Sequence, residues 1–303
     1  MDYVPLGTTG LTTSVIGLGG GSSGRFGLTK GGNRADGVRL IQRALDLGVT
    51  FFDGAGLAGG VDGLLAEGLS DRRNEVLLST KIHLGPDLLP FSGAKLANKA
   101  SSWAARRFGS TCNAATVRRR VERSLKQLQT DRIDLLQLHA VAVRQYPRAL
   151  ETVLPELRRL KDEGKIRAIG ITEGFLSDPD HEMLQLAVRD ARIETVMVGF
   201  NVENPSAAEI VLPQAAQKGI AAIGMFALRG PLNSAIADDV RRIADETGIG
   251  LSELAYRFAR HQPGMSVVLT GTGDPRHLEN NVQAALAPPL PTDVLNRLRV
   301  LSA

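Results

Sequence analysis

Short apolar runs alternate with longer segments of mixed polarity along almost the whole chain. Most of the runs are rich in Val, Ile and Leu and end at glycine or polar residues, which is typical of strands buried inside a parallel sheet. In one of them, Phe51 and Phe52 lead directly into Asp53. The predicted strands are residues 15–19, 51–53, 75–81, 133–138, 166–172, 195–200, 220–225 and 266–270.

The segments between these strands carry apolar residues at helical spacing, as Val38, Ile41 and Leu45 do in the first of them. An apolar–polar alternation on both sides of Gly7 and Gly10 predicts a hairpin at the N-terminus. The predicted helices are residues 34–47, 60–69, 116–129, 150–163, 181–189, 207–218, 236–247, 252–260, 275–285 and 292–301.

Eight predicted strands, each followed by helix, are typical of a single (β/α)8 TIM barrel of the α/β class. No linker interrupts the alternation, so we expect one domain over residues 1–303, with the hairpin in front of the barrel. A doubly wound sheet is the alternative. It is disfavoured because no helix opens with G-x-G-x-x-G.

Composition narrows the classes of function. The formal charge of +4 comes without a basic stripe interleaved with aromatic residues, so we expect no nucleic-acid partner. A single cysteine, Cys112, excludes an intrachain disulfide and a multi-thiolate metal site, and we predict no bound metal. The chain lacks a run of eighteen apolar residues and a signal-peptide pattern at its start, so we expect a cytoplasmic protein without a membrane partner. Its oligomeric state stays open.

Three ionisable residues close three consecutive predicted strands: Asp53, Lys81 and His139. Taken singly, each has an ordinary alternative, namely a turn, a rim lysine or a buried histidine with satisfied hydrogen bonds. In a barrel, however, the carboxyl ends of the strands share one rim, where the chemistry of this fold takes place. Lys81 can pair with Asp53, and His139 can then donate to a substrate oxygen. This combination favours polarising a carbonyl or an imine.

Residues 83–115 form the one long irregular connection of the predicted barrel. Long connections in compact domains are often lids or binding loops, and a disordered segment is the alternative. The tryptophan ring and the cations of this connection favour an aromatic or anionic substrate. The alternative is that these are solvated loop residues without a role in binding. The residues concerned are Lys95, Lys99, Trp103, Arg106 and Arg107.

Six segments of the chain form an ordered set of motifs: LGTTGL at 6–11, DGA at 53–55 with Gly59, LLST before Lys81, LLQLH at 135–139, GKIRAIGI at 164–171 and TGTGDPRHLENN at 270–281. Taken in order, these segments resemble the aldo-keto reductases over essentially the whole chain. The resemblance implies hydride transfer between NADPH and a carbonyl by a tetrad of Asp, Tyr, Lys and His. In that tetrad the tyrosine gives its proton to the nascent alkoxide.

The tyrosine of the tetrad is missing from this sequence. The family pattern D-T-A-x-x-Y-G becomes residues 53–59 here, with Ala58 at the acid's position. The three tyrosines of the chain, Tyr3, Tyr146 and Tyr256, lie elsewhere. The resemblance therefore implies Asp53, Lys81 and His139 as the catalytic residues that are kept.

The resemblance also implies a nicotinamide nucleotide site, with NADPH slightly favoured over NADH. Thr172 and Glu173 stand where Ser-Asn usually holds the carboxamide, and Phe200 replaces a tyrosine that stacks on the nicotinamide. Met197 replaces a glutamine, and His277 stands where an arginine often reaches the 2′-phosphate. The implied cofactor residues are Gly20, Gly21, Asp53, Thr172, Glu173, Met197, Phe200, Met225, Phe226, Leu228, Thr272, Gly273, His277, Asn280 and Asn281.

Three functions remain open for such a site. The first is an oxidoreductase whose carbonyl, imine or conjugated alkene substrate needs no phenol. The second is a lyase, dehydratase or isomerase that uses Lys81 or His139 as a base. The third is a catalytically silent nucleotide-binding regulator. The retained charge pair disfavours the third, and the cofactor segments favour the first over the second.

Overall fold

A closed barrel of eight parallel strands forms the centre of the molecule, as the sequence predicts. The computed structural model describes residues 1–21, 24–56, 60–85, 112–229 and 235–301. Around the barrel each strand pairs with its neighbours in chain order, and the last strand closes onto the first. The strands are β3 (Ile16–Gly19), β4 (Phe51–Asp53), β5 (Leu77–His83), β6 (Ile133–Val141), β7 (Ile166–Glu173), β8 (Thr195–Gly199), β9 (Ala221–Met225) and β10 (Met265–Thr270).

Helices surround the barrel close to their predicted positions. The segment 150–163 differs, because it forms two helices rather than one. Pro155 stands in the first turn of the second helix, where its missing N–H does no harm, whereas a continuous helix would lose a hydrogen bond there. The helices are α1 (Arg34–Asp46), α2 (Val61–Gly68), α3 (Ala114–Leu128), α4 (Tyr146–Thr152), α5 (Leu154–Asp162), α6 (Glu182–Ala187), α7 (Val211–Gln217), α8 (Ala237–Thr247), α9 (Leu251–Arg260), α10 (Pro275–Leu286) and α11 (Thr292–Val300).

The predicted hairpin is present and closes the amino end of the barrel. Its strands β1 (Tyr3–Pro5) and β2 (Thr12–Ser14) pair antiparallel. Leu6 and Leu11 from its turn are buried among the side chains inside the barrel. Gly7 has φ of 56°, and a Cβ at this position would collide with the carbonyl of Gly219, so a glycine is required.

Side chains alternate along each strand between the barrel lumen and the helix layer. On β4, for example, Phe51 belongs to the lumen cluster and Phe52 to the larger core under the helices. The lumen cluster consists of Leu6, Leu11, Phe51, Leu77, Leu135, Ala168, Met197, Ala221, Ile223 and Val267. Polar side chains occupy the lumen above this apolar layer, at the carboxyl ends of the strands.

Several predictions fall on residues 57–59 and 86–111, which lie outside the described residues. They include the position of Ala58 and the side chains of the long connection, namely Lys95, Lys99, Trp103, Arg106 and Arg107. Among the helices of the described residues, none combines the length and apolar character needed to span a bilayer.

Candidate active site

Asp53 and Lys81 form a buried ion pair at the carboxyl end of the barrel. Asp53 ends β4, and Lys81 lies two residues before the end of β5, which continues further than predicted to His83. Both side chains occupy lumen positions, because they follow the alternation of Phe51 and Leu77. Lys81 Nζ contacts Asp53 Oδ2 and donates a second hydrogen bond of 2.8 Å to the carbonyl oxygen of Gly54. The side chains are 7% and 4% exposed, respectively.

Two further polar side chains bind Asp53 on its other oxygen. The hydroxyl of Ser79 donates to Asp53 Oδ1 at 3.0 Å, and Gln137 Nε2 donates to the same oxygen at 3.3 Å. Gln137 Nε2 also lies 2.8 Å from Ser79 Oγ, so the three side chains form one connected group. These donors satisfy the hydrogen-bonding capacity of the buried carboxylate. The sequence analysis missed Ser79 and Gln137, although both share the lumen alternation of Lys81 and His139.

His139 lies beside this group at an irregular point of β6. The strand register shifts between Leu138 and Val141, and Ala140 has φ of 49°, in the left-handed region. Such a bulge redirects neighbouring side chains and is frequent next to active sites. The hydroxyl of Thr172 lies 3.2 Å from His139 Nδ1 and accepts a hydrogen bond of 2.8 Å from the Ala140 N–H. Thr172 therefore supports both the ring and the bulge.

The imidazole of His139 is neutral at neutral pH. Burial lowers its pKa well below the usual value, and the nearby His83 and Lys81 lower it further. The His83 ring meets it edge to face, with centroids 4.5 Å apart. A neutral imidazole can donate one hydrogen bond and accept another, so it can polarise a ligand oxygen without bringing a second full positive charge beside Lys81.

Glu173 makes contacts that its position in the sequence did not indicate. Its Oε1 accepts a hydrogen bond of 2.6 Å from the Gly199 N–H, and its Oε2 lies 2.7 Å from His181 Nδ1. Both side chains are at most 1% exposed. Each oxygen of Glu173 thus has a protein partner, and the side chain braces β7 against β8 and the start of α6.

Two of the expected nicotinamide contacts are covered by protein. The Phe200 ring is 0% exposed and stacks on Phe258 of α9, with centroids 5.6 Å apart. It therefore lies in the core under the helices and has no face open to a nicotinamide, because it continues the outward-facing positions of Val196 and Val198 on β8. Met197 is 2% exposed within the lumen cluster. The predicted stacking by Phe200 is not possible in this conformation.

Other predicted cofactor residues lie at the open rim. Gly21 is exposed, with open space where a Cβ would stand, whereas Gly20 is in contact with Phe26 and Val61. Met225, Phe226 and Leu228, which end β9 and follow it, are half-buried.

The segment that follows β10 reaches the first turns of α10. Thr272 Oγ1 accepts the Asp274 N–H at 3.0 Å, and Asp274 caps the helix through the Arg276 N–H at 2.8 Å. His277 and Asn280 are exposed. Asn281 is buried and donates to the Thr270 hydroxyl at 2.8 Å, and the half-buried Gly273 packs on Gly27.

Comparison with known proteins gives a consistent result. Residues 15–303 match the Aldo/keto reductase family. The chain is 26% identical to the aldo-keto reductase YhdN of Bacillus subtilis, over 92% of this chain and 87% of that protein. It is also 26% identical to the L-galactose dehydrogenase of Arabidopsis thaliana, over 92% of this chain and 86% of that protein. In fold it is similar to an aldo-keto reductase of Bacillus halodurans solved in its holo form, with a TM-score of 0.77, 22% identity and coverage of 100% and 97%.

Proposed function

The chain belongs to the aldo/keto reductase family, and we propose that it is an NADPH-dependent oxidoreductase acting at Asp53, Lys81 and His139. Members of the family are generally NAD(P)H-dependent oxidoreductases. The proposed substrate carries a carbonyl, an imine or a conjugated alkene. An aromatic or anionic substrate is the form favoured by the composition of the connection 86–111.

The buried Asp53–Lys81 pair beside His139 is the observation that carries this proposal. A buried ion pair costs desolvation free energy, and a barrel gains little stability from one at its open end. Perturbed and paired ionisable groups cluster at functional sites, and this group lies at the end of the barrel where the fold places its chemistry. Asp53 and the Gly54 carbonyl hold the Lys81 ammonium, while Ser79 and Gln137 hold Asp53 in place.

Two exposed residues of the rim, Gly21 and His277, support the binding of a nicotinamide nucleotide. The open space at Gly21 lets a ligand approach the backbone closely. The exposed His277 in the first turn of α10 offers a side chain for a phosphate, whereas the Arg276 N–H of that turn is already bound by Asp274. Asp274 adds a carboxylate at the same turn, and its negative charge disfavours the 2′-phosphate that distinguishes NADPH from NADH. We therefore keep NADH as the second candidate nucleotide. When bound, a reduced nicotinamide supplies the hydride.

Side chains of the protein then have to supply the proton that the reduced substrate takes up. A carbonyl that receives hydride needs a proton at oxygen, and within the described part of the chain His139 and Lys81 are the candidate donors at this site. An iminium ion already carries its proton, so it needs little acid catalysis. With Ala58 at the position of the tyrosine, we expect imines to react better than simple aldehydes. The absence of one general acid typically lowers a rate by about 10²–10⁴-fold.

Nucleotide titration tests this function. We expect NADPH to bind the purified protein with a change in nucleotide fluorescence, and NADH to bind more weakly. A panel of aldehydes, imines and enones, with aromatic and carboxylate-bearing members, then measures turnover. Failure of both nucleotides to bind would contradict the proposal and favour a lyase, dehydratase or isomerase. Tight binding with no turnover of any panel member would favour a silent regulator.

A further inference from the structure

A second buried aspartate lies just outside the barrel wall, next to the Asp53–Lys81 pair. Asp62 is in the first turn of α2 and is 2% exposed. Its Oδ2 accepts a hydrogen bond of 3.1 Å from the hydroxyl of Thr80, which faces the helix layer between Ser79 and Lys81. Its Oδ1 has no hydrogen-bond partner among the described residues. A buried carboxyl with so few donors is costly and calls for an explanation.

The peptide unit of Gly54 lies between the carboxyl of Asp62 and the ammonium of Lys81. A Cβ built on Gly54 would lie 2.5 Å from Asp62 Oδ1 and 3.1 Å from Thr80 Oγ1, so the missing side chain leaves the space that the carboxyl fills. On its other side, the Gly54 carbonyl accepts the 2.8 Å hydrogen bond from Lys81 Nζ. Thr80 also accepts the Gly56 N–H at 3.2 Å. Asp62 and Thr80 therefore hold the backbone that carries the Lys81 acceptor.

The carboxyls of Asp53 and Asp62, which both lie near the ammonium of Lys81, have unequal sets of hydrogen-bond and charge partners. Asp53 has contacts with Lys81, Ser79 and Gln137, whereas Asp62 has Thr80 and a weaker contact with the Ala55 amide. Burial raises the pKa of Asp62 to about 7, while the Thr80 hydroxyl, the charge of Lys81 and the Ala55 amide oppose this rise. Asp53 is the other charged group that acts on it, and it raises the pKa slightly.

We propose that Asp62 is a positioning residue for Lys81. With Thr80 it fixes the Gly54–Gly56 backbone against β5, and so fixes the carbonyl that accepts the second hydrogen bond of the ammonium. When Asp62 loses its proton, a second negative charge stands beside the Asp53–Lys81 pair. The surroundings of Lys81 therefore change with pH in the neutral range. The relevance of this change for catalysis rests on the proposed function, but the change itself does not.

Lysine labelled with ¹³C at Cε allows a direct test in the nucleotide-free protein. The Lys81 signal is assigned by its loss in Lys81→Met and followed by NMR from about pH 5 to pH 9. We expect a step with a midpoint near pH 7, which reports the titration of Asp62. Asp62→Asn should abolish the step. Glu67→Gln, which removes an exposed carboxylate from the same helix, should leave it unchanged.

Thr80→Val is a second variant that covers a failure of Asp62→Asn to fold. Loss of the hydroxyl removes a hydrogen bond to the charged carboxyl, so the midpoint should move to higher pH. A step that persists in Asp62→Asn, an unmoved midpoint in Thr80→Val, or a flat Lys81 signal in the unmodified protein overturns the proposal. Because turnover is not needed, an inactive protein with a normal step would contradict only the proposed function.

Discussion

Asp134 and Asp53 are buried carboxylates at opposite ends of the barrel, and they differ in the number and exposure of their cationic partners. Asp134, near the start of β6, lies at the amino end and is 1% exposed. Its Oδ2 accepts the Leu78 N–H at 2.9 Å and lies 2.8 Å from Arg73 Nη2. Arg167 contacts its Oδ1 at 3.2 Å, and Arg132 lies 3.7 Å from the same oxygen. The carboxylate is thus surrounded by donors on all sides.

The carboxylates at the carboxyl end of the barrel have fewer donors and cations around them. Asp53 shares one lysine with the poorly compensated Asp62, and that lysine remains buried at the mouth of the barrel rather than reaching solvent. Arg132 and Arg167 beside Asp134 are 30% and 49% exposed, so their charges stay hydrated while they tie neighbouring strands together. The comparison indicates that the amino end contributes stability, whereas the carboxyl end gives up stability to hold the group of charges to which we assign the proposed function. This is the division of roles expected for the two faces of such a barrel.

The largest loss of stability should follow Asp134→Ala. This change leaves Arg73 without its carboxylate and the Leu78 N–H without its acceptor. We expect the free energy of unfolding to fall by about 3–5 kcal/mol, the range for breaking a buried ion pair. Urea denaturation measures it.

Asp131→Ala is the matched control for this variant. Asp131 lies three residues earlier and its side chain is 89% exposed, so its loss should change stability by at most about 0.5 kcal/mol. Nucleotide affinity should be unchanged in both variants. A loss in Asp134→Ala no greater than in the control would contradict the structural role of the amino-end cluster.

A smaller, pH-dependent effect is expected at Asp62. Its pKa is raised to about 7 in the folded protein, so the unfolded chain loses this proton at lower pH than the native protein does. Stability therefore falls as the pH rises through the interval from the unfolded pKa up to about 7, and the protonated form is the stabilising one. Between pH 5 and pH 8 the loss from this group should be about 3 kcal/mol.

Asp62→Asn removes this titration. Relative to the unmodified protein, the variant should gain stability as the pH is raised from 5 to 8, and urea denaturation at both values measures the gain. Glu67→Gln should show no comparable change, because its side chain is 50% exposed. Parallel pH dependences in Asp62→Asn and the unmodified protein would show that Asp62 is compensated as well as Asp134 is.

The barrel could be predicted from the sequence because its repeating pattern is strong. The positions of Asp53, Lys81 and His139 at the ends of three consecutive predicted strands also indicated one shared rim, since the carboxyl ends of the strands lie at the same end of a barrel. The strand ends were less accurate: β5 and β6 continue to His83 and Val141, because a strand can run on through polar residues once its neighbours pair with it.

The supporting residues could not be predicted in the same way. Ser79 and Gln137 look like ordinary strand residues until the register brings them to Asp53. Asp62 looks like a typical acid in the first turn of a helix, and its burial depends on the missing side chain of Gly54. Each of these depends on tertiary contacts that no local pattern encodes. Phe200 is different, because it shares the parity of Val196 and Val198, and the alternation along β8 therefore indicates a position in the core under the helices.

Turnover of Lys81→Met is the most direct test of the site at the carboxyl end. Methionine keeps much of the side-chain volume and removes the ammonium. With the best substrate of the panel, NADPH oxidation should be at least about 10²-fold slower than in the unmodified protein. Lys165→Met, at the amino end, should retain the original rate, because this lysine pairs with Glu122 far from the site. An unchanged rate in Lys81→Met would contradict the assignment of the Asp53–Lys81 pair to catalysis.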